Sequence, residues 1–135
     1  MKMCPYLTFD GTARDALTLY ARALGGELAE VQRFDEMPES EGKFPPEVGA
    51  RLAHGQVRFG GQVIMVSDTM GNDPFPGHHG FNIQTNWDTL EEAKTAFEIL
   101  SEGGEVIMPL APTFWASAFG ICRDRFGVGW MFNSD

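Results

Sequence analysis

The sequence predicts an α+β fold made of two βαβββ modules whose curved mixed sheets surround a cleft. Three observations carry this. The order strand, capping residue, helix, Gly-Gly, Glu, strand occurs twice, about 75–78 positions apart. Each copy is followed by two further strand-like runs joined by a turn. The length, 135 residues, suits one domain, with the first module at about 1–70 and the second at about 78–135.

The elements follow in order. Residues 6–9 read as a short strand and Asp10-Gly11 as a turn. Ala13, Ala16, Leu17, Tyr20 and Leu24 then recur at helical spacing, which marks one buried face. Asp10 or Thr12 is the expected N-cap, and Gly25-Gly26 ends the helix. Residues 27–34 form a strand. Residues 35–49 form an acidic loop rich in Pro and Gly, a candidate flap that can close through Met37 and Phe44. Strands at 51–59 and 62–67 flank Gly60-Gly61, a favoured hairpin turn. Residues 69–79, with Pro74, Pro76 and Gly77, form a linker.

The second copy opens with a strand at 80–84. Asp88 is the expected cap of a helix with Leu90, Ala93, Phe97 and Leu100 on its apolar stripe. Gly103-Gly104 ends it, and 105–108 is the next strand. Runs at 115–123 and 128–132 around the turn 124–127 complete the module.

Composition narrows the partners. A formal net charge of −9 repels phosphate backbones and anionic lipid, so neither nucleic acid nor a membrane surface is expected. No apolar run approaches the roughly 18–20 residues that span a bilayer. The first residues carry no apolar stretch behind Lys2, so no secretory signal is expected. Cys4 and Cys122 need not pair, and a reduced, cytoplasmic setting follows. A helix covers only one face of each four-stranded sheet. The other face must meet apolar material, which points to a homodimer and to a strand-lined cleft for a small molecule.

The candidate site residues lie on these strands. His54 shares a strand face with Leu52 and Gln56; it reads as a hydrogen-bonded cleft histidine and is the best general acid–base candidate. Asp68 ends its strand, as a turn-forming aspartate or as a group orienting polar parts of a ligand. His78-His79 reads as a solvated loop pair, and both cysteines as packing residues. Trp115 and Phe119 share a strand face and offer stacking surfaces, with Trp130 nearby; core packing is the competing role.

Several segments together resemble a known family. They are Pro5-Tyr6-Leu7-Thr8-Phe9-Asp10-Gly11, Ala16-Leu17-Thr18-Leu19-Tyr20, Gly25-Gly26-Glu27, His54, Val63-Ile64-Met65-Val66-Ser67-Asp68, Phe114-Trp115-Ala116 and Asp124-Arg125-Phe126-Gly127-Val128-Gly129-Trp130. In order and spacing they resemble the vicinal oxygen chelate superfamily, which includes glyoxalase I, fosfomycin-resistance enzymes, extradiol dioxygenases and bleomycin-resistance proteins. Within it the chain is similar to the PhnB-like group.

The resemblance implies the glyoxalase-like fold and a homodimer. It implies no single activity. The candidate functions are a metal-free small-molecule cleft, a non-catalytic drug- or metabolite-binding protein of bleomycin-resistance type, and a metal-dependent lyase, isomerase or dioxygenase. Similar sequences have been labelled demethylubiquinone methyltransferases. Here no Gly-rich loop joins a parallel strand to a helix, the usual seat of a nucleotide-type cofactor, and no cofactor is expected.

In metal-binding members, the first and fourth strands of each module supply His, Gln or Glu ligands. Spacing sets those positions at Pro5 (or Cys4 or Tyr6), Met65, Phe81 and Met131. Proline, thioether and phenyl groups do not hold an oxygen-chelating divalent ion, so no metal is expected. The expected pocket is lined by Tyr6, His54, Met65, Asp68, Phe81, Trp115, Phe119 and Met131.

Overall fold

Alternation along β1 (Tyr6–Phe9) buries Leu7 and Phe9 and leaves Tyr6 and Thr8 exposed, as in a strand with one covered face. The computed structural model describes residues 1–38 and 43–135, and the chain divides into two units, Met1–Pro76 and Gly77–Asp135.

In the first unit β1 leads to α1 (Ala13–Leu24), β2 (Glu27–Arg33), a 3-10 turn (Phe34–Glu36), the short α2 (Pro46–Gly49), β3 (Leu52–Phe59) and β4 (Gln62–Asp68). The sheet order is β1-β4-β3-β2, with β1 parallel to β4 and the other pairs antiparallel. Ala13, Ala16, Leu17, Leu19, Tyr20 and Ala23 of α1 are buried. Burial of side chains such as Leu17 is worth about 1.5–3 kcal/mol each, more than a helix cap at about 1 kcal/mol, so packing on the sheet dominates the helix's stability.

The second unit repeats the plan with β5 (Ile83–Trp87), α3 (Leu90–Ser101), β6 (Glu105–Ala111), β7 (Ala118–Arg123) and β8 (Gly129–Ser134) in the order β5-β8-β7-β6. Phe132 stacks on Trp87, with centroids 5.6 Å apart, and meets the Phe97 edge of α3 at 5.2 Å. The repeat extends to a packing device. A Cβ at Gly55 would lie 2.6 Å from Leu17 Cδ1, and one at Gly120 would lie 3.0 Å from Phe97 Cε2. Each glycine sits on the third strand of its module and lets the helix rest close to the sheet.

Several boundaries differ from the sequence expectation. Neither Asp10 nor Thr12 caps α1 with its side chain; Asp68 does so from β4. The cap of α3 is Thr89, not Asp88, because the Thr89 hydroxyl accepts the Glu92 N–H at 3.2 Å. The strand expected at 80–84 starts at Ile83, after Gly80 turns the chain with φ +78°. The strand at 105–108 runs on to Ala111 through Pro109, as an edge strand allows. Trp115 is not in a strand: the Thr113 N–H donates to the Ala116 carbonyl at 3.1 Å, closing a turn before β7. Gly60-Gly61, with φ of 51° and 78°, forms the expected hairpin turn. Of the loop at 35–49, residues 39–42 lie outside the described residues; around them Phe34 packs on Phe44 at 5.5 Å.

Candidate functional site

The strand period sorts the first sheet into two faces. Leu7, Phe9, Val57, Ile64 and Val66 are buried on the side of α1. Tyr6, His54, Gln56, Arg58 and Met65 alternate with them and occupy the helix-free face. Register places Tyr6 beside Met65 and Met65 beside Gln56, while His54 lies two residues along β3 from Gln56. Leu52 breaks the alternation and is core, 1% exposed, rather than a neighbour of His54 on the open face.

A chain of polar groups crosses this face. The Tyr6 hydroxyl lies 3.2 Å from His54 Nδ1. His54 Nε2 lies 3.1 Å from Gln56 Nε2. Gln56 Nε2 donates to Glu30 Oε2 at 2.8 Å, and Arg58 Nε donates to Gln56 Oε1 at 3.0 Å. Arg58 and Glu30 close the loop as an ion pair at 3.3 Å. Glu30 reaches this face because β2 bulges there: the register slips between Ala29 and Gln32, and Glu30 takes φ +51°. A non-glycine residue in that conformation costs about 1–3 kcal/mol, and here the Gln56 and Arg58 contacts hold it.

Asp68 is not on this face. Its Oδ1 accepts the Gly11 and Ala13 N–H groups at 2.8 and 3.0 Å, and its Oδ2 accepts the Leu52 N–H at 3.0 Å. It is 5% exposed and serves the backbone of three segments.

On the helix-free face of the second sheet, Gln84 lies beside Met131, and Ile121 lies between Met131 and Met108. Trp115 meets the edge of Phe119 at 5.5 Å from the turn before β7, and Phe114 meets Trp115 at 4.7 Å. Trp115 is 53% exposed; Trp130, by contrast, is fully buried, its indole N–H donating to Asp124 Oδ2 at 2.9 Å. Phe81 precedes β5 and sits edge-on to His78 at 6.0 Å. The solvated histidine pair is therefore divided: His79 is exposed, and His78 is half-buried. Burial holds the His78 imidazole below its ordinary pKa against the opposing pull of Asp124.

The residues facing each other across first and fourth strands are Tyr6 with Met65, and Gln84 with Met131. Tyr6 is one of the three positions that spacing allowed for the first ligand, while Pro5 precedes the strand and its carbonyl accepts the Met65 N–H at 3.0 Å; Gln84, not Phe81, stands beside Met131. In the first unit a phenol stands beside a thioether and in the second the Gln84 amide stands beside a thioether, so neither pair offers more than one donor of the His, Gln or Glu type that an oxygen-chelating divalent ion takes. Among the described residues no group of three or more His, Cys, Asp or Glu could hold a metal ion. Nor is any described helix long and apolar enough to cross a membrane.

Gln56, Glu30 and Arg58 were missing from the sequence-derived pocket. Period-two alternation from His54 reaches Gln56 and Arg58. Glu30 carries no such signal, since a bulge places it.

Two βαβββ units, each with its parallel pair joining first and fourth strands, define a protein of the glyoxalase-like fold. Residues 1–132 match the family described as 3-demethylubiquinone-9 3-methyltransferase. The chain is 37% identical over 142 residues to protein YjdN of Escherichia coli strain K12, covering 98% of this chain and 95% of that one. It is 39% identical to protein PA1353 from Pseudomonas aeruginosa, covering 100% and 98% of the two chains at a TM-score of 0.90. It also superposes on a putative 3-demethylubiquinone-9 3-methyltransferase, PhnB protein, from Bacillus cereus, with TM-score 0.82, 24% identity and all of both chains covered. The chain belongs to the family that residues 1–132 match.

Proposed function

We propose that the protein binds small organic molecules on the helix-free face of each sheet, without a resident metal, and works as a homodimer. The observation that supports this most is the polar chain from Tyr6 through His54 and Gln56 to Glu30, beside the thioether of Met65. Such a surface, with polar groups held in fixed places beside an apolar thioether, suits a small ligand. On the first unit the ligand contacts are Tyr6, His54 and Met65. On the second they are Phe81, Trp115, Phe119 and Met131. If the bound molecule reacts, His54 is the acid or base, because its ring nitrogens can give or take a proton within this polar chain.

Methyl transfer, named in the family's description, is not adopted for this chain. The backbone N–H groups of Gly11 and Ala13 that open α1 are taken by Asp68, so they do not cradle a cofactor's anionic group. A non-catalytic binding protein of bleomycin-resistance type is the second reading. The exposed Phe114–Trp115 pair and the net charge of −9 favour it, since both suit a flat cation.

The test is retention. Small molecules carried from a cell extract by the purified protein are identified by mass spectrometry, in parallel with the His54→Ala and Trp115→Ala variants. A compound enriched by the native protein and lost from a variant supports the reading; no enrichment over an unrelated acidic protein sinks it. Sedimentation at micromolar concentration should give about twice the 14.9 kDa chain mass. A monomer alone would remove the dimer from the proposal.

A further inference from the structure

The partners of Gln56 settle which way its amide points. Glu30 as a carboxylate only accepts hydrogen bonds, and the Arg58 guanidinium only donates. Gln56 therefore turns its oxygen to Arg58 Nε, at 3.0 Å, and its nitrogen to Glu30 Oε2, at 2.8 Å. A flipped amide would set donor against donor and acceptor against acceptor.

The consequence passes to His54. The same Gln56 nitrogen lies 3.1 Å from His54 Nε2, and an amide nitrogen donates but does not accept. Glu30 Oε2 also faces Nε2 but lies 4.0 Å away, beyond hydrogen-bond reach, so His54 Nε2 is the acceptor and the neutral ring carries its proton on Nδ1. Nδ1 lies 3.2 Å from the Tyr6 hydroxyl, so the imidazole donates and the phenol oxygen accepts. The phenol's own proton then points away from His54, and Tyr6 is 51% exposed on the open face.

We infer that Glu30, Gln56 and Arg58 lock His54 in the Nδ1–H tautomer and so present Tyr6 as a hydrogen-bond donor to a bound carbonyl compound. This rests on the sheet-face reading above and adds the ligand's contacting group. A carbonyl oxygen suits the place: it only accepts, so it leaves no donor unmatched beside the Met65 thioether. Tyr6 is the specificity-determining contact, and Gln56 is a positioning residue that acts through His54. The bulge at Glu30 has its reason here, since an in-register strand would not aim that carboxylate at Gln56.

Two measurements test this. Long-range nitrogen–proton correlation spectra at alkaline pH, with His54 assigned by its loss in His54→Gln, should show the proton on Nδ1. In Gln56→Met that preference should weaken or reverse. The second measurement compares acetophenone with α-methylstyrene, which has nearly the same shape but no carbonyl, by titration against the full-length protein. Acetophenone should bind about tenfold more tightly, the worth of one good hydrogen bond, and Tyr6→Phe should abolish the difference. An Nε2–H tautomer in the native protein overturns this inference alone. So does equal binding of the two probes, or a preference that survives Tyr6→Phe. Binding of neither probe counts against the sheet face as a binding surface, and this inference falls with it.

Discussion

Asp68 and Ala13 stand 55 residues apart in the chain, yet the carboxylate of one accepts the backbone N–H of the other at 3.0 Å. The helix that covers the first sheet is therefore capped from the strand it packs against. The same side chain holds Gly11 and Leu52, so one residue joins the β1–α1 turn, the start of β3 and the end of β4. Asp68→Ala leaves these donors without their acceptor, at about 1–3 kcal/mol for each one that stays buried. A loss on the order of 2–4 kcal/mol in urea-induced unfolding is expected. A loss below about 0.5 kcal/mol, the range of ordinary surface changes, would show that water or another group replaces the carboxylate.

The two long helices start differently, and a pair of matched substitutions reads the difference. Thr89→Ala removes a side-chain cap and should cost about 1 kcal/mol. Thr12→Ala removes no such bond, because the Thr12 side chain caps nothing, and should lie within about 0.5 kcal/mol of the parent. Equal effects from the two would contradict the assignment of Asp68 as the cap of α1.

Cys122 is fully buried, and burial first, then the charge of Asp124, pushes its thiol pKa up to about 12. Both causes disfavour the thiolate, the reactive form, over the whole physiological range. Native protein at mildly alkaline pH should therefore give one thiol to an aromatic disulfide reagent, that of the partly exposed Cys4, and two after denaturation. Rapid labelling of both native thiols would show that β7 opens readily.

Elemental analysis after metal-replete expression examines the donor set. The Tyr6–Met65 pair holds no His, Gln or Glu and the Gln84–Met131 pair holds one, so no stoichiometric divalent metal is expected. One tightly held Zn, Ni, Mn or Fe per chain, lost together with activity in His54→Ala, would restore the metalloenzyme reading.

Most of the fold was legible without coordinates because it rests on short-range regularities. Apolar spacing along Ala13–Leu24 marks a helix whatever lies nearby, and the Gly60-Gly61 pair makes a hairpin by backbone freedom alone. The repetition of these signals yields the two modules, and His54 and Tyr6 stand out by residue type. The site's wiring was not legible, for physical reasons. A slip of one residue reverses the faces of a strand, so the late start of β5 is enough to exchange Phe81 for Gln84 beside Met131. Tertiary packing also decided that Asp68 serves the backbone rather than the open face, and that Glu30 leaves its strand's register to hold Gln56. Those choices depend on groups tens of residues away, so local sequence preference carries almost no trace of them.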